Sequence, residues 1–308
     1  MNRLLLLVCC CALVATDLVA QGATDIHLVP IIRGQDGVVT ELGTPRAVTD
    51  REGYDNQPAF LPDGKTLVYT SIVEIEGTSQ ADIWRFDIAS GERARVTHTD
   101  KESEYSPTPI PGDADGLSVI RVEVDNVQRL WRVSLSGDES SVLLPDIAPV
   151  GYHAWGPDDR LGLFVLGEPP TLQAAVRGPG EGKVLASDIG RALARIPDSD
   201  EISFVRKATP AADGREVAGW RILRANLETG DLTDIVATRP EREDYAWDSQ
   251  GALWMADGTT LYQYRPAKDV DWGPVDDLAD HGVKGTISRL AISPDGLLMA
   301  VVAERAAN

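Results

Sequence analysis

The chain has 308 residues, 43% of them hydrophobic and 25% charged, values that exclude a disordered or collagen-like polypeptide. Its formal net charge of −19 gives a surface that repels nucleic acid and anionic lipid head groups, so neither is an expected partner. The three cysteines stand together at Cys9, Cys10 and Cys11, so the rest of the chain needs no disulfide.

Residues 1–22 read as a secretory signal peptide. Arg3 precedes an apolar run over 4–14, and small residues cluster over 20–23. The run is too short to span a bilayer, so no stable membrane insertion is expected once the segment is removed. The cysteines sit too early for a lipoprotein signal. A periplasmic or secreted location follows as an expectation.

From residue 24 onward the chain repeats. "TDIHLVPIIRGQDGVVTEL" (24–42) alternates apolar and polar residues like a hairpin with one wet face. "QPAFLPDGKTLVYTS" (57–71) then gives two apolar runs around Pro-Asp-Gly. Proline presets φ, Asp bonds back to the backbone, and Gly accepts positive φ, so the string predicts a tight hairpin. Variants of it recur with turn residues at Pro62, Pro111, Pro157, Pro197, Ser249 and Pro294, spaced 40 to 52 residues apart. Behind each of the first five comes a second hairpin, such as "ADIWRFDIASGERARVT" and "QRLWRVSLSGDESSVLL". Two hairpins make a four-stranded antiparallel sheet of propeller-blade size.

The sixth copy has no second hairpin after it. The unpaired second-type hairpin at 24–42 supplies the missing half. The expected fold is therefore all-β: a single six-bladed β-propeller over 23–308, its C-terminal blade completed by the N-terminal strands, which protects the edges an open array would expose. The segment "SDIGRALARI" (187–196) has a short helical periodicity, but its register with the other repeats argues for a strand. "KATPAADGREVAG" (207–219) reads as a longer surface loop in the fourth blade.

The string Pro-x-aromatic-x-Pro-Asp-Gly-Lys, an apolar strand, Asp-Ile-aromatic, then Gly-Glu-x-x-x-Val-Thr resembles the TolB-type, WD-like propeller repeat. Residues 58–97 give the best copy, the sixth is also strong, and copies three to five are looser. The resemblance implies a propeller that binds protein or peptide, or that forms the non-catalytic half of a peptidase. The α/β domain that precedes the propeller in TolB is not expected here, since blade-like sequence begins almost directly after the signal segment. Gly-x-Ser-x-Gly is absent, so a hydrolase domain of the propeller peptidases is not expected either.

Aligning the copies on their turns puts Gln57, Ser106, Tyr152, Ala192, Asp244 and Arg289 at equivalent positions at the start of the innermost strands. Their neighbours include Asn56, Tyr105, His153, Arg191, Tyr245 and Ser288. In a propeller these positions surround the mouth of the central channel. From them Asn56, Gln57, Tyr105, Tyr152, His153, Arg191, Asp244, Tyr245 and Arg289 form the candidate binding set, a polar funnel for a peptide terminus or small ligand. The competing expectation is that these groups hydrate the channel or satisfy one another.

No metal and no cofactor is expected. The four histidines, His27, His98, His153 and His281, lack metal-ligand spacing. "GPGEGK" (178–183) lacks the context of a phosphate loop and reads as a turn. "GDADG" (112–116) lacks calcium-loop spacing and reads as a solvated turn. Trp84 and Trp131 match between second hairpins, and Trp155 and Trp247 between first hairpins, as blade-packing residues should. Trp272, in "KDVDWGPVDD", breaks the pattern and is either an exposed anchor for a partner or covered by a neighbouring loop. The function expected is that of a monomeric, non-catalytic module binding a protein or peptide. The alternative is a lyase or hydrolase working at the channel mouth, with His153 or Tyr152 as base.

Overall fold

The computed structural model describes residues 22–305, apart from positions 36, 76, 208, 211–215 and 218. Nearly all of the expected signal segment lies outside the described residues. Among the described residues there is no helix, and six antiparallel sheets form the blades of a propeller. Segment 187–196 is strand, Ile189–Arg195, as its register requires.

Each sheet begins at the channel. The innermost strands are Asp55–Phe60, Ser103–Pro109, Val150–Trp155, Ile189–Arg195, Tyr245–Trp247 and Ile287–Ile292. In the first five blades the chain runs outward through three further strands in sequence order. In the fourth blade a short pairing of Thr209–Pro210 with Glu216–Val217 extends the expected insertion outside this sheet. Turn chemistry holds as read: Gly64, Gly91, Gly137, Gly230 and Gly296 all have positive φ.

The sixth blade is shared between the ends of the chain. Thr24–Arg33 pairs antiparallel with Leu298–Glu304, in a register from Thr24 opposite Glu304 to Pro30 opposite Leu298. Val39–Leu42 adds the outer strand, and Arg46–Ala47 pairs on the same N-terminal strand. Thr24 also latches the next blade: its Oγ1 donates to the Asp55 carbonyl at 2.9 Å and accepts from Asn56 Nδ2 at 3.4 Å.

Packing closes the ring. Apolar residues alternate along the strands, so each sheet offers one greasy face to each neighbour. Six separate core clusters result, one for every pair of adjacent blades. Val68, Ile83 and Leu117 join blades one and two; Ile120, Trp155 and Leu161 join two and three. Leu172 and Phe204 join three and four, and Val205, Met255 and Trp272 join four and five. Trp254 and Val301 join five and six, while Ile26, Val302 and Tyr69 join six to one. Trp272 is thus not an exposed anchor. It is only 8% exposed, donates its Nε1–H to the Ala237 carbonyl at 2.7 Å and packs on Tyr264, because the loop folds it back between blades.

Candidate functional site: the mouth of the central channel

The innermost strands do not run straight. Register shifts occur between Asn56 and Ala59, Tyr105 and Thr108, Val150 and Tyr152, Ile189 and Leu193, and Ile287 and Arg289. These bulges fall on the aligned positions at the strand starts. A bulge bends its strand and re-aims the side chains beside it, which turns polar groups toward the channel. Gln57 and Ser106 adopt left-handed backbone conformations there, with φ of 56° and 54°.

Residues from all six innermost strands line one central cavity of about 160 Å³, among them Gln57, Ser106, Tyr152, Arg191, Asp244 and Arg289. The sequence alignment therefore located the channel, and four of its residues interlock. Asp244 receives Arg191 in a two-point contact, Nη2 to Oδ2 at 2.5 Å and Nε to Oδ1 at 3.4 Å. Arg289 Nη1 lies 3.4 Å from the same carboxylate. Arg289 Nη2 donates to Tyr152 Oη at 3.0 Å, and its guanidinium lies 5.2 Å from the Tyr152 ring centroid. Burial works against the charge of Arg191, but Asp244 and Glu243 outweigh it and hold the guanidinium above its ordinary pKa.

Other predicted residues serve the framework. Gln57 Oε1 accepts from Thr70 Oγ1 and from the Ser106 backbone N–H, both at 2.8 Å, and so ties blade one to blade two. Asn56 is 5% exposed and belongs to the Thr24 latch. Tyr105 is partly buried against the core between blades two and three, and burial raises its pKa.

His153 and Tyr245 occupy one repeated motif. Trp155 Nε1 donates to Ser118 Oγ at 2.9 Å, and Ser118 donates to the Thr108 carbonyl at 3.0 Å. With its hydroxyl proton so used, Ser118 Oγ must accept from His153 Nε2, 2.7 Å away, which fixes the proton of a neutral imidazole on Nε2. Two blades on, Tyr245 Oη and Trp247 Nε1 both donate to Ser203 Oγ at 2.8 Å, and Ser203 donates to the Ala194 carbonyl at 3.2 Å. Burial drives the His153 pKa down to about 3 and pushes that of Tyr245 up. His153 has no hydrogen bond or ion pair to Arg191 or Asp244, so those three do not converge as an acid–base set.

Two contributors escaped the sequence reading. Tyr54 faces the same charged groups, and burial lifts its pKa to about 12 despite Arg289 and Arg191. Glu243 accepts from the Arg191 backbone N–H at 2.9 Å and pairs with Lys207 Nζ at 3.1 Å. Tyr54 lies three residues ahead of the aligned Gln57. The signal that could have found it is the recurrence of tyrosine beside the other strand starts, in "EYS", "GYH" and "DYA".

The two doubtful loops are turns. Gly178 and Gly180 have positive φ between paired strands, and Asp113 is occupied by Arg132 at 2.8 and 3.3 Å. Among the described residues no group of three His, Cys, Asp or Glu side chains is placed to hold a metal ion.

No protein-family model matches the chain, and no curated protein matches it. Solved structures do. A TolB-type protein of Agrobacterium tumefaciens aligns with 93% of this chain and 100% of its own, at 14% identity and a TM-score of 0.67. TolB from Acinetobacter baumannii aligns over 92% of this chain at 16% identity and a TM-score of 0.55, and this chain spans 64% of its length. A gluconolactonase from Xanthomonas campestris aligns over 93% of this chain and 98% of its own, at 12% identity and a TM-score of 0.56. At these identities the likeness is one of fold: a six-bladed propeller of the kind seen in TolB structures and also in an enzyme.

Proposed function

We propose that this chain is a non-catalytic, TolB-like propeller, periplasmic or secreted, that acts as a monomer and binds a protein or peptide at its channel mouth. The supporting observation is the Arg191–Asp244–Arg289–Tyr152 linkage. Four blades contribute to it, so the rigid ring holds two guanidiniums, a carboxylate and a phenol in fixed relation at the end of a cavity. Preorganised arginine and tyrosine groups are the side chains that dominate recognition surfaces. The signal-like sequence of residues 1–22 supports the location.

A second reading, a lyase or hydrolase at the same mouth, draws on Tyr152, whose hydroxyl sits against a guanidinium as a proton-transferring phenol would. His153 weighs against it, being neutral, buried and tied to Ser118.

The test is capture of partners from a cell-envelope fraction by the wild-type chain and by the triple variant Y152F/R191Q/D244N. Loss of the captured protein in the variant supports the binding reading, and unchanged recovery contradicts it. Turnover of a substrate that Tyr152→Phe abolishes while capture persists would favour the enzyme.

A further inference from the structure

We infer that the channel mouth receives a free carboxylate, of the kind a peptide C-terminus carries, an inference that rests on the binding-module reading above.

Charge comes first. The ionised side chains lining the central cavity are Arg191 and Arg289 against Asp244 alone, a local excess of one positive charge in a chain of net −19. Arg289 is the group with capacity to spare. Its Nη2 is engaged by Tyr152 and its Nη1 lies 3.4 Å from Asp244, but its Nε–H has no partner among the described residues. Its side chain is only 15% exposed, so a charge-assisted bond there is poorly screened. An ammonium terminus finds no equivalent. Asp244 is flanked by two guanidiniums, and Glu243 is held by Lys207 and by the Arg191 backbone N–H.

The cavity also has an approach. A groove of about 140 Å³ between blades five and six shares Arg191, Asp244, Arg289 and Leu290 with it. An extended segment lying in this groove would bring its end to the two arginines. The exposed Glu241 and Glu304 line the groove and favour a basic residue upstream.

The probes are acetyl-Lys-Gly-Ala with a free carboxylate, the same peptide as its amide, acetate and lactate. Each is titrated into the ¹⁵N-labelled chain while the Nε–H signals of Arg289 and Arg191 are followed. The acid peptide should shift the Arg289 signal saturably, and the amide should bind at least about tenfold more weakly. Acetate should be weaker than the acid peptide, because it makes no contact along the groove. Arg289→Gln should abolish the acid–amide preference, and Arg289→Lys, which keeps the charge, should retain part of it.

Equal affinity for acid and amide, or no shift at Arg289 with the acid peptide at tens of millimolar, overturns the inference. Lactate binding as tightly as the peptide overturns its peptide part and assigns the site to a small hydroxy acid. If envelope capture is lost in the triple variant yet acid and amide behave alike, the carboxylate inference fails while the binding reading stands. If acid and amide differ but capture is unaffected, the binding reading fails instead.

Discussion

Arg289 Nη2 donates to Tyr152 Oη at 3.0 Å and so joins blades that stand three places apart in a ring of six. The contact crosses the central channel. Phe164 steadies the receiving ring edge-on, with centroids 5.7 Å apart and an interplanar angle of 77°. Tyr152→Phe keeps this packing and removes the hydroxyl. The expected loss is about 1.5–3 kcal/mol of stability, the range for one hydrogen bond to a charged group, measured by urea unfolding. A neutral result would mean that the strut is not formed in solution.

Ser118 and Ser203 each accept two buried donors of the following blade. Substituting Ser118 by Ala strands the Nε–H groups of His153 and Trp155, and Ser203→Ala strands Tyr245 Oη–H and Trp247 Nε1–H. At about 1–3 kcal/mol for each orphaned donor, either variant should lose roughly 2–6 kcal/mol. Tryptophan fluorescence during urea unfolding reads both losses, and the two should be alike, because the motif is the same.

Two buried groups give opposed pH dependences. His153 has a pKa lowered from 6.5 to about 3 by burial, so below pH 6.5 the unfolded chain binds a proton that the folded chain does not, and stability falls as pH falls. Glu104 is fully buried between blades one and two. Burial outweighs its ion pair with Arg121, 2.9 Å away, and lifts its pKa from 4.5 to about 7. Between those values the folded chain keeps a proton that the unfolded chain has released, so stability falls as pH rises. The two slopes, each up to about 1.4 kcal/mol per pH unit, oppose one another where their windows overlap, from pH 4.5 to 6.5. Glu104→Gln removes one of them. Relative to wild type, its unfolding free energy should climb more steeply with pH across that window, and an unchanged slope would contradict the assignment.

Gly285 stands just before the innermost strand of the shared blade with φ of 82°, and a Cβ there would overlap the Glu304 carbonyl oxygen. The obstacle is backbone, so it cannot rotate away. Gly285→Ala combines positive φ with this overlap and should cost roughly 2–4 kcal/mol. Gly282→Ala has a similar φ of 87° but nothing within contact distance, and should cost less than half as much. Thermal unfolding of the two variants separates strain from clash.

Blade number, hairpin turns and the closure of the ring were legible because each follows from local chemistry repeated at fixed spacing. Pro-Asp-Gly marks a turn wherever it stands, and a second-type hairpin at 24–42 without a first had one place to go. The channel positions were legible for the same reason, since alignment on the turn carries the strand start with it. What each side chain does there was not legible. Asn56 and Gln57 look like Asp244 and Arg289 in the alignment, yet the first two bond to neighbouring blades and the last two to each other. That difference depends on bulges that shift the register and on partners 13 to 137 positions distant, such as Thr70 for Gln57 and Tyr152 for Arg289. Trp272 was ambiguous because acidic neighbours in sequence say nothing of the carbonyl of Ala237, which a folded-back loop brings to it.

Recognition at the channel mouth is tested most directly by site-specific photo-crosslinking. A benzoylphenylalanine placed at Leu290 lines the mouth; one placed at Ser90 lies in the turns at the far end of the blades. In a cell-envelope fraction, Leu290 should yield a crosslinked partner that Y152F/R191Q/D244N abolishes, and Ser90 should yield none. A partner crosslinked from Ser90 and not from Leu290 would place recognition on the opposite face and contradict the assignment.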